Sequence, residues 1–357
     1  MPQHHFIPVF ILRNFACKEA WRLVRAPSDT KRRVALHDET VLHSRNPRNW
    51  PLCVLDKATG TLQRKKLADV CSRANFYSLP QPEDPLMRGI IRLSIRFFED
   101  PARLTPISDQ DLPELGREPL DLEEIERLRI SAIDGQFARL VGPLRSGADM
   151  SIQDMTVIIR FVVLARYRTP FWRETYYPRV FQDTVGHIRR QARLPGAAPW
   201  AQLTANEEEA LTKELERSLY QLAIMGTCIR DHSALNRTNT NVLVLHSVGT
   251  SKFVAADNPA RPFFPSPIKH LPSQPFPAID DPNLQMLYPI SPDACLLLTK
   301  RPDLPHFSHQ EVKGNPIKEI NTILAITARG QVVLPESSPH FFLPWLDVRS
   351  IPTTPRP

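Results

Sequence analysis

Glycine is scarce in this chain: 12 in 357 residues, about half the usual share. Little material is left for the Gly-rich loops that cradle phosphates, and no dinucleotide or P-loop pattern occurs. Five cysteines in so long a chain do not make a disulfide framework, and none of them forms a Cys-x-x-Cys pair. A Gly-x-Ser-x-Gly elbow and a His-Glu-x-x-His helix are also missing, so serine-hydrolase and zincin chemistry are poor matches. The longest apolar stretch, Met155 to Ala165, is about eleven residues and holds Arg160. That is well short of the ~20 that span a bilayer. The opening from Met1 to His5 is polar and precedes only a short apolar stretch to Leu12, which is not a signal peptide. The expectation is a cytoplasmic, soluble protein with reduced thiols and no membrane partner.

What is present is proline and arginine. The 36 Pro are about double the usual share and favour stiff, extended connections. A hydrophobic content of 42% with 23% charged residues is ordinary for a globular chain long enough for one large domain or two lobes. The net charge is +7, and Arg outnumbers Lys about three to one. That balance admits an anionic ligand or nucleic acid as partner. No basic run exceeds three residues, as at Lys31, Arg32 and Arg33.

Residues 1–120 read as an N-terminal α+β segment. "FIPVFILRNF" is a Pro-started short helix, and Cys53–Leu55 with Thr61–Gln63 flank a turn at Gly60. A helix is expected over Pro85–Phe98 and a linker over Glu99–Pro119. Residues 121–240 read as a helical lobe: Asp121/Glu124, Ser151/Asp154 and Thr204/Glu207 each have capping-box spacing. Thr169-Pro170 should stop the central helix. Residues 241–345 read as a C-terminal α+β segment that completes the sheet, with 346–357 a disordered tail. There "NVLVLHS" and "SKFVAAD" suggest a β-hairpin, and the passage Pro259–Pro292 is too Pro-rich for a central strand. "CLLLTK" and "QVVLP" read as strands, with "IKEINTILAITAR" a helix between them.

Four constellations could carry chemistry. His4-His5 precedes a stiff apolar segment and could supply metal ligands or a proton carrier, or simply lie at the surface. Asp257-Asn258-Pro259 closes a strand, where a carboxylate suits a metal or a substrate hydroxyl, and equally an Asx-turn. Arg160, Arg166, Arg168 and Arg173 mark the central helices. Arg160 lies within the apolar stretch and should have a carboxylate partner, with Asp134 the candidate. The fourth, His306-x-x-His309-x-Glu311, has metal-ligand spacing in a Pro-flanked loop.

The segments "QHHFIPVFILRNFA" from Gln3, "NFY" at Asn75, "RTPFWR" from Arg168, "KFVAADNPARP" from Lys252, "YPISPDACLLLT" from Tyr288 and "IKEINTILAITAR" from Ile317 occur in that order. Together they resemble domain-of-unknown-function family 4238, over nearly the whole chain. The resemblance carries no established reaction. It implies that His4, His5, Pro8, Arg13, Asn14, Phe15, Arg168, Pro170, Asp257, Asn258, Pro259, Pro292 and Asn321 are the motif positions. The chain departs from the pattern at Asp134, where Glu is usual, and at Ala256, where a small hydroxyl residue often stands.

The fold class expected is α+β, with a small mixed or antiparallel sheet built from the N- and C-terminal segments and a central helical lobe. Two functions remain open. One is a hydrolase acting on a phosphodiester or nucleotide, either metal-dependent or working by acid–base catalysis. In it His4, His5, Asp257, Asn258 and Asp134 supply the catalytic groups, His4, His5 and Asp257 hold a divalent metal, and Arg160, Arg168 and Asn321 bind substrate. The other is a non-catalytic module that holds nucleic acid or protein on its Arg-rich helical lobe. The two ends of the chain are expected to meet, with His4 or His5 within about one side-chain length of Asp257 and Asn258; such a cluster in a pocket favours the enzyme, and a continuous basic stripe with these residues dispersed favours the binder.

Overall fold

The computed structural model describes residues 3–5, 7–16, 47–74, 131–178, 224, 228, 231–235, 240–260, 262–263 and 281–335. The helices expected over Pro85–Phe98 and from Thr204, the linker at Glu99–Pro119, the opening at Asp121 and the tail lie outside these residues. Within them the architecture is α+β. Strands β1 (Gln3–His5) and β4 (Ser72–Ala74) form a two-stranded ribbon. A four-stranded sheet has the order β3-β2-β11-β6, from β2 (Pro51–Asp56), β3 (Thr61–Lys66), β6 (Ala255–Ala256) and β11 (Gln331–Leu334). A five-stranded sheet has the order β10-β5-β9-β8-β7, from β5 (Asn241–Ser247), β7 (Pro262–Phe263), β8 (Gln285–Ser291), β9 (Ala294–Thr299) and β10 (Phe307–Val312). The four-stranded sheet joins the two ends of the chain, as expected. The five-stranded one is built wholly from residues after 240, so no single sheet holds all the strands.

Strand β5 is apolar without alternation because both of its faces are covered. Val242 and Val244 enter one hydrophobic core, Leu243 and Leu245 the other. The first core also takes α1 (Val9–Phe15), α2 (Ser131–Ser146) and α3 (Ile152–Tyr167). The second takes α4 (Asn315–Thr327). In the first, Phe161 of α3 stacks on Phe137 of α2 at 3.8 Å and meets Tyr288 of β8 edge-on at 5.1 Å. Pro8 sits at the N-cap of α1, and its carbonyl accepts from Ile11 and Leu12. Asn14 donates to the Ile290 carbonyl at 2.8 Å, which ties α1 to β8. The Ser151/Asp154 capping box at the start of α3 is complete, with both reciprocal bonds made.

Three expectations fail, each for a physical reason. "NVLVLHS" and "SKFVAAD" do not pair as a hairpin. Both edges of β5 are taken, by β9 and by parallel β10, and the turn at Gly249 (φ 90°) redirects the chain so that Ala255–Ala256 joins β11. β8 is a strand between two others despite Pro289, because Pro289 lies at a register shift and β7 pairs only with Gln285 and Met286. His306-x-x-His309-x-Glu311 is not a loop, since residues from Phe307 on form β10. Thr169-Pro170 does stop α3, which ends at Tyr167, and Pro170 then opens a new helical segment: Thr169 Oγ1 accepts from the Trp172 N–H at 3.2 Å, and a π-helical turn covers Trp172–Tyr176.

The ion pair expected for Arg160 also differs. Arg160 is exposed, and Asp134 pairs instead with Arg168 in a bidentate contact at 2.7 and 3.0 Å. Residues eight apart on a helix point about 80° away from each other, so only one of these arginines can face Asp134. Arg160 emerges on the single polar stripe of α3, whereas Arg168 is 6% exposed at its C-cap. Asp134→Ala should therefore cost about 3 kcal/mol in urea unfolding, and more than Arg168→Met, because a cation left inside costs more than an acid that water reaches. Arg160→Ala should stay within about 0.5 kcal/mol. Equal losses at Asp134 and Arg160 would contradict this assignment.

Candidate functional site

Helix α4 ends at Thr327, and its last carbonyls need partners. Lys57, in the turn between β2 and β3, donates from Nζ to Ala328 O at 2.6 Å and Ile326 O at 3.3 Å. A cation at a helix C-terminus is favourably placed against the helix dipole. Asn258 donates to Thr327 O at 2.9 Å. The next three backbone N–H groups, of Arg329, Gly330 and Gln331, all point to the Asp257 carboxylate at 2.7, 2.8 and 3.0 Å. Backbone bonds close the loop, from Asp257 N to Gln331 O and from Lys57 N to Gly330 O. Gly330 lies against the carboxylate, where a Cβ would meet Asp257 Oδ2 at 3.5 Å, an ordinary contact.

Asp257 and Asn258 are 6% and 3% exposed. Burial pushes the Asp257 carboxyl up, against the downward pull of the three amides and of Lys57. Its oxygens already serve three donors, so the arrangement is a carboxylate brace around a turn. Asn321 works in a similar way: Oδ1 accepts from Val254 N at 3.0 Å and Nδ2 donates to Lys252 O at 2.8 Å, clamping the chain just before β6.

The brace reaches the N-terminal motif. Gln331 Oε1 accepts from the N–H of Cys71, a residue held at φ 49°. Cys71 is buried beside Asp257, and both burial and that charge push its thiol well up, which makes it a poor nucleophile. His5 Nδ1 lies 3.2 Å from Val70 O, and β1 pairs with β4 immediately after Cys71. The described contacts thus join His5 to Asp257 through Val70, Cys71 and Gln331. His4 pairs in register with Arg73, and its side chain lies outside the described residues. On the other side Arg329 Nη2 is 3.5 Å from Glu174 Oε2, which connects the turn to the segment after Arg168 and Pro170.

Of the residues around this turn, the sequence singled out Asp257, Asn258, Asn321 and His5 as site candidates, and it did not point to Lys57, Cys71, Gln331 or Arg329. No local pattern marks these four, because their partners lie 65 or more residues away or their contribution is a backbone N–H. Arg168 and Asp134 form their own pair between the end of α3 and α2, and Arg160 is exposed. Arg166 is also inside, 3.6 Å from Asp231, to which Tyr167 OH also donates. Among the described residues no three His, Cys, Asp or Glu side chains are grouped to hold a metal ion.

A brace and a reaction site respond differently to loss of the charge. Asp257→Asn places an NH2 group against amide donors, and should cost about 2–3 kcal/mol in urea unfolding. A cost below about 0.5 kcal/mol, the level of an ordinary surface change, would show that the three amides do not depend on the carboxylate.

No curated protein and no solved structure matches the chain. One family model does, over residues 3–338, and its description is a protein of unknown function. The motifs gathered around the Asp257 brace fall inside that span, and the chain belongs to the family of proteins of unknown function DUF4238.

Proposed function

We propose that the protein is a non-catalytic module that binds nucleic acid through its phosphate backbone, using the β2–β3 hairpin. The observation that carries this reading is the edge strand β3, Thr61-Leu62-Gln63-Arg64-Lys65-Lys66, whose outer side pairs with no other strand among the described residues. Successive side chains of a strand face opposite ways, so Arg64 and Lys66 line one face and Lys65 the other. Arg64 and Lys66 are exposed and Lys65 is half-buried. Lys66 lies opposite Pro51 in the register, next to the turn Pro47–Asn49 that carries exposed Arg48. Asp69 is the acid of the turn that follows. The result is a basic rim at one end of the hairpin, on a chain of net charge +7.

This moves the binding surface away from the helical lobe. Arg166 and Arg168 are 4% and 6% exposed and face carboxylates, which makes them interior ion pairs and not a phosphate-binding stripe. The hydrolase reading has less support, because Asp257, Asn258 and Asn321 are engaged by backbone groups. Lys65 and Lys66 form no ion pair among the described residues, so their charge is available to phosphates.

Binding of a fluorescent oligonucleotide, single-stranded and duplex, at several salt concentrations tests the reading. Affinity should fall linearly on a log–log plot against salt. Lys65→Ala and Lys66→Ala should each weaken it and reduce the slope by about 1, as expected for lost phosphate contacts. No binding at low salt would contradict it, leaving the rim the role of guarding an exposed edge against pairing with another chain.

A further inference from the structure

A pair of imidazoles takes no part in the brace or the basic rim. His246 lies on β5 and His309 on the neighbouring parallel strand β10, where Glu311 is the register partner of His246. His246 Nε2 and His309 Nδ1 are 2.8 Å apart, with ring planes inclined by 34°. His309 Nε2 lies 3.0 Å from the Ala148 carbonyl, in the connection between α2 and α3. A carbonyl only accepts, so Nε2 of His309 carries the proton and Nδ1 of the neutral ring presents a lone pair. The hydrogen between the rings therefore belongs to His246 Nε2.

We propose that His246 and His309 form a two-imidazole site for a borderline divalent transition-metal ion, of the Cu(II), Ni(II) or Zn(II) class, which takes the place of the shared hydrogen. Two nitrogens bound at about 2.0–2.1 Å, at right angles or tetrahedrally, are separated by about 2.9–3.4 Å. The present separation of 2.8 Å needs to open only slightly, by rotation of the His246 ring. The bond from His309 Nε2 to Ala148 is the kind of outer bond that fixes the tautomer and orientation of a metal-bound histidine. The Phe307 ring stands edge-on to His309 at 5.0 Å and limits its rotation further. Both ligands are carried by paired strands, which hold them more firmly than loops would.

The protonation balance is simple. When an ion binds at His246 Nε2, the proton there moves to Nδ1 of the same ring, and no proton is released overall. Glu311, the register partner of His246 on β10, places a negative side chain beside the pair that favours a cation there. Among the described residues no third His, Cys, Asp or Glu completes the set, so water fills the remaining positions. Selectivity should then follow the intrinsic order of nitrogen ligands, with Cu(II) bound more tightly than Ni(II).

The test is calorimetric titration of the full chain with the Cu(II), Ni(II) and Zn(II) chlorides. His246→Gln and His309→Gln should each reduce the affinity of the site at least about tenfold, since each removes one of two ligands, while His306→Ala should leave it unchanged. Substoichiometric Ni(II) should also broaden the imidazole resonances of His246 and His309 in the unaltered protein before those of any other histidine, a readout that needs no variant to fold. Absence of binding, binding that survives both Gln substitutions, or earlier broadening at another histidine would overturn the proposal.

Discussion

A buried carboxylate that serves three consecutive backbone N–H groups constrains the rest of this structure. The turn between α4 and β11 has nowhere else to direct the amides of Arg329, Gly330 and Gln331, and an unpaired buried amide is expensive. Asp257 supplies the acceptors from more than 70 residues earlier in the chain, while Lys57 and Asn258 supply donors for the helix carbonyls. Donors and acceptors are thus matched around one turn by residues from separate segments. β11 leaves that turn already aligned between β2 and β6, and this joins the two ends of the chain in one sheet.

The brace also explains why motifs scattered through the sequence lie in one place. Gln331 passes the connection to Cys71, and from there the ribbon of β1 and β4 carries it to His5. Arg329 passes it to Glu174, behind the Arg168-Thr169-Pro170 turn. Asn14 and Asn321 secure neighbouring segments with side-chain amides that bond to backbone groups. These polar motif residues form a framework. Exposed charge lies on plainer residues, the Lys and Arg of an edge strand.

Where structure follows from local chemistry, the sequence was readable. α1 behind Pro8, the β2–β3 turn with Gly60 at φ 67°, the capping box of α3, and α4 with β11 all carry short-range signals. The role of Asp257 was read only as a choice between a turn and a site, because the amides it serves follow a helix far along the chain. The β5–β6 hairpin was misread because an apolar strand next to a Gly turn looks the same whether it pairs onward or is flanked by two later strands. β10 reads Phe-Ser-His-Gln-Glu-Val, too polar to resemble a strand until its parallel partner β5 is known. Arg160 and Arg168 differ only in helix phase, and nothing local shows which phase faces Asp134.

If the brace is the constraint on which the fold depends, its amides must open only when the sheet opens. Native-state hydrogen exchange measures this directly. The N–H groups of Arg329, Gly330 and Gln331 should be as protected as those of Val332 and Val333 in β11, with the same opening free energy. Exchange of the three amides at the rate of an exposed loop, while the β11 amides stay protected, would contradict the account.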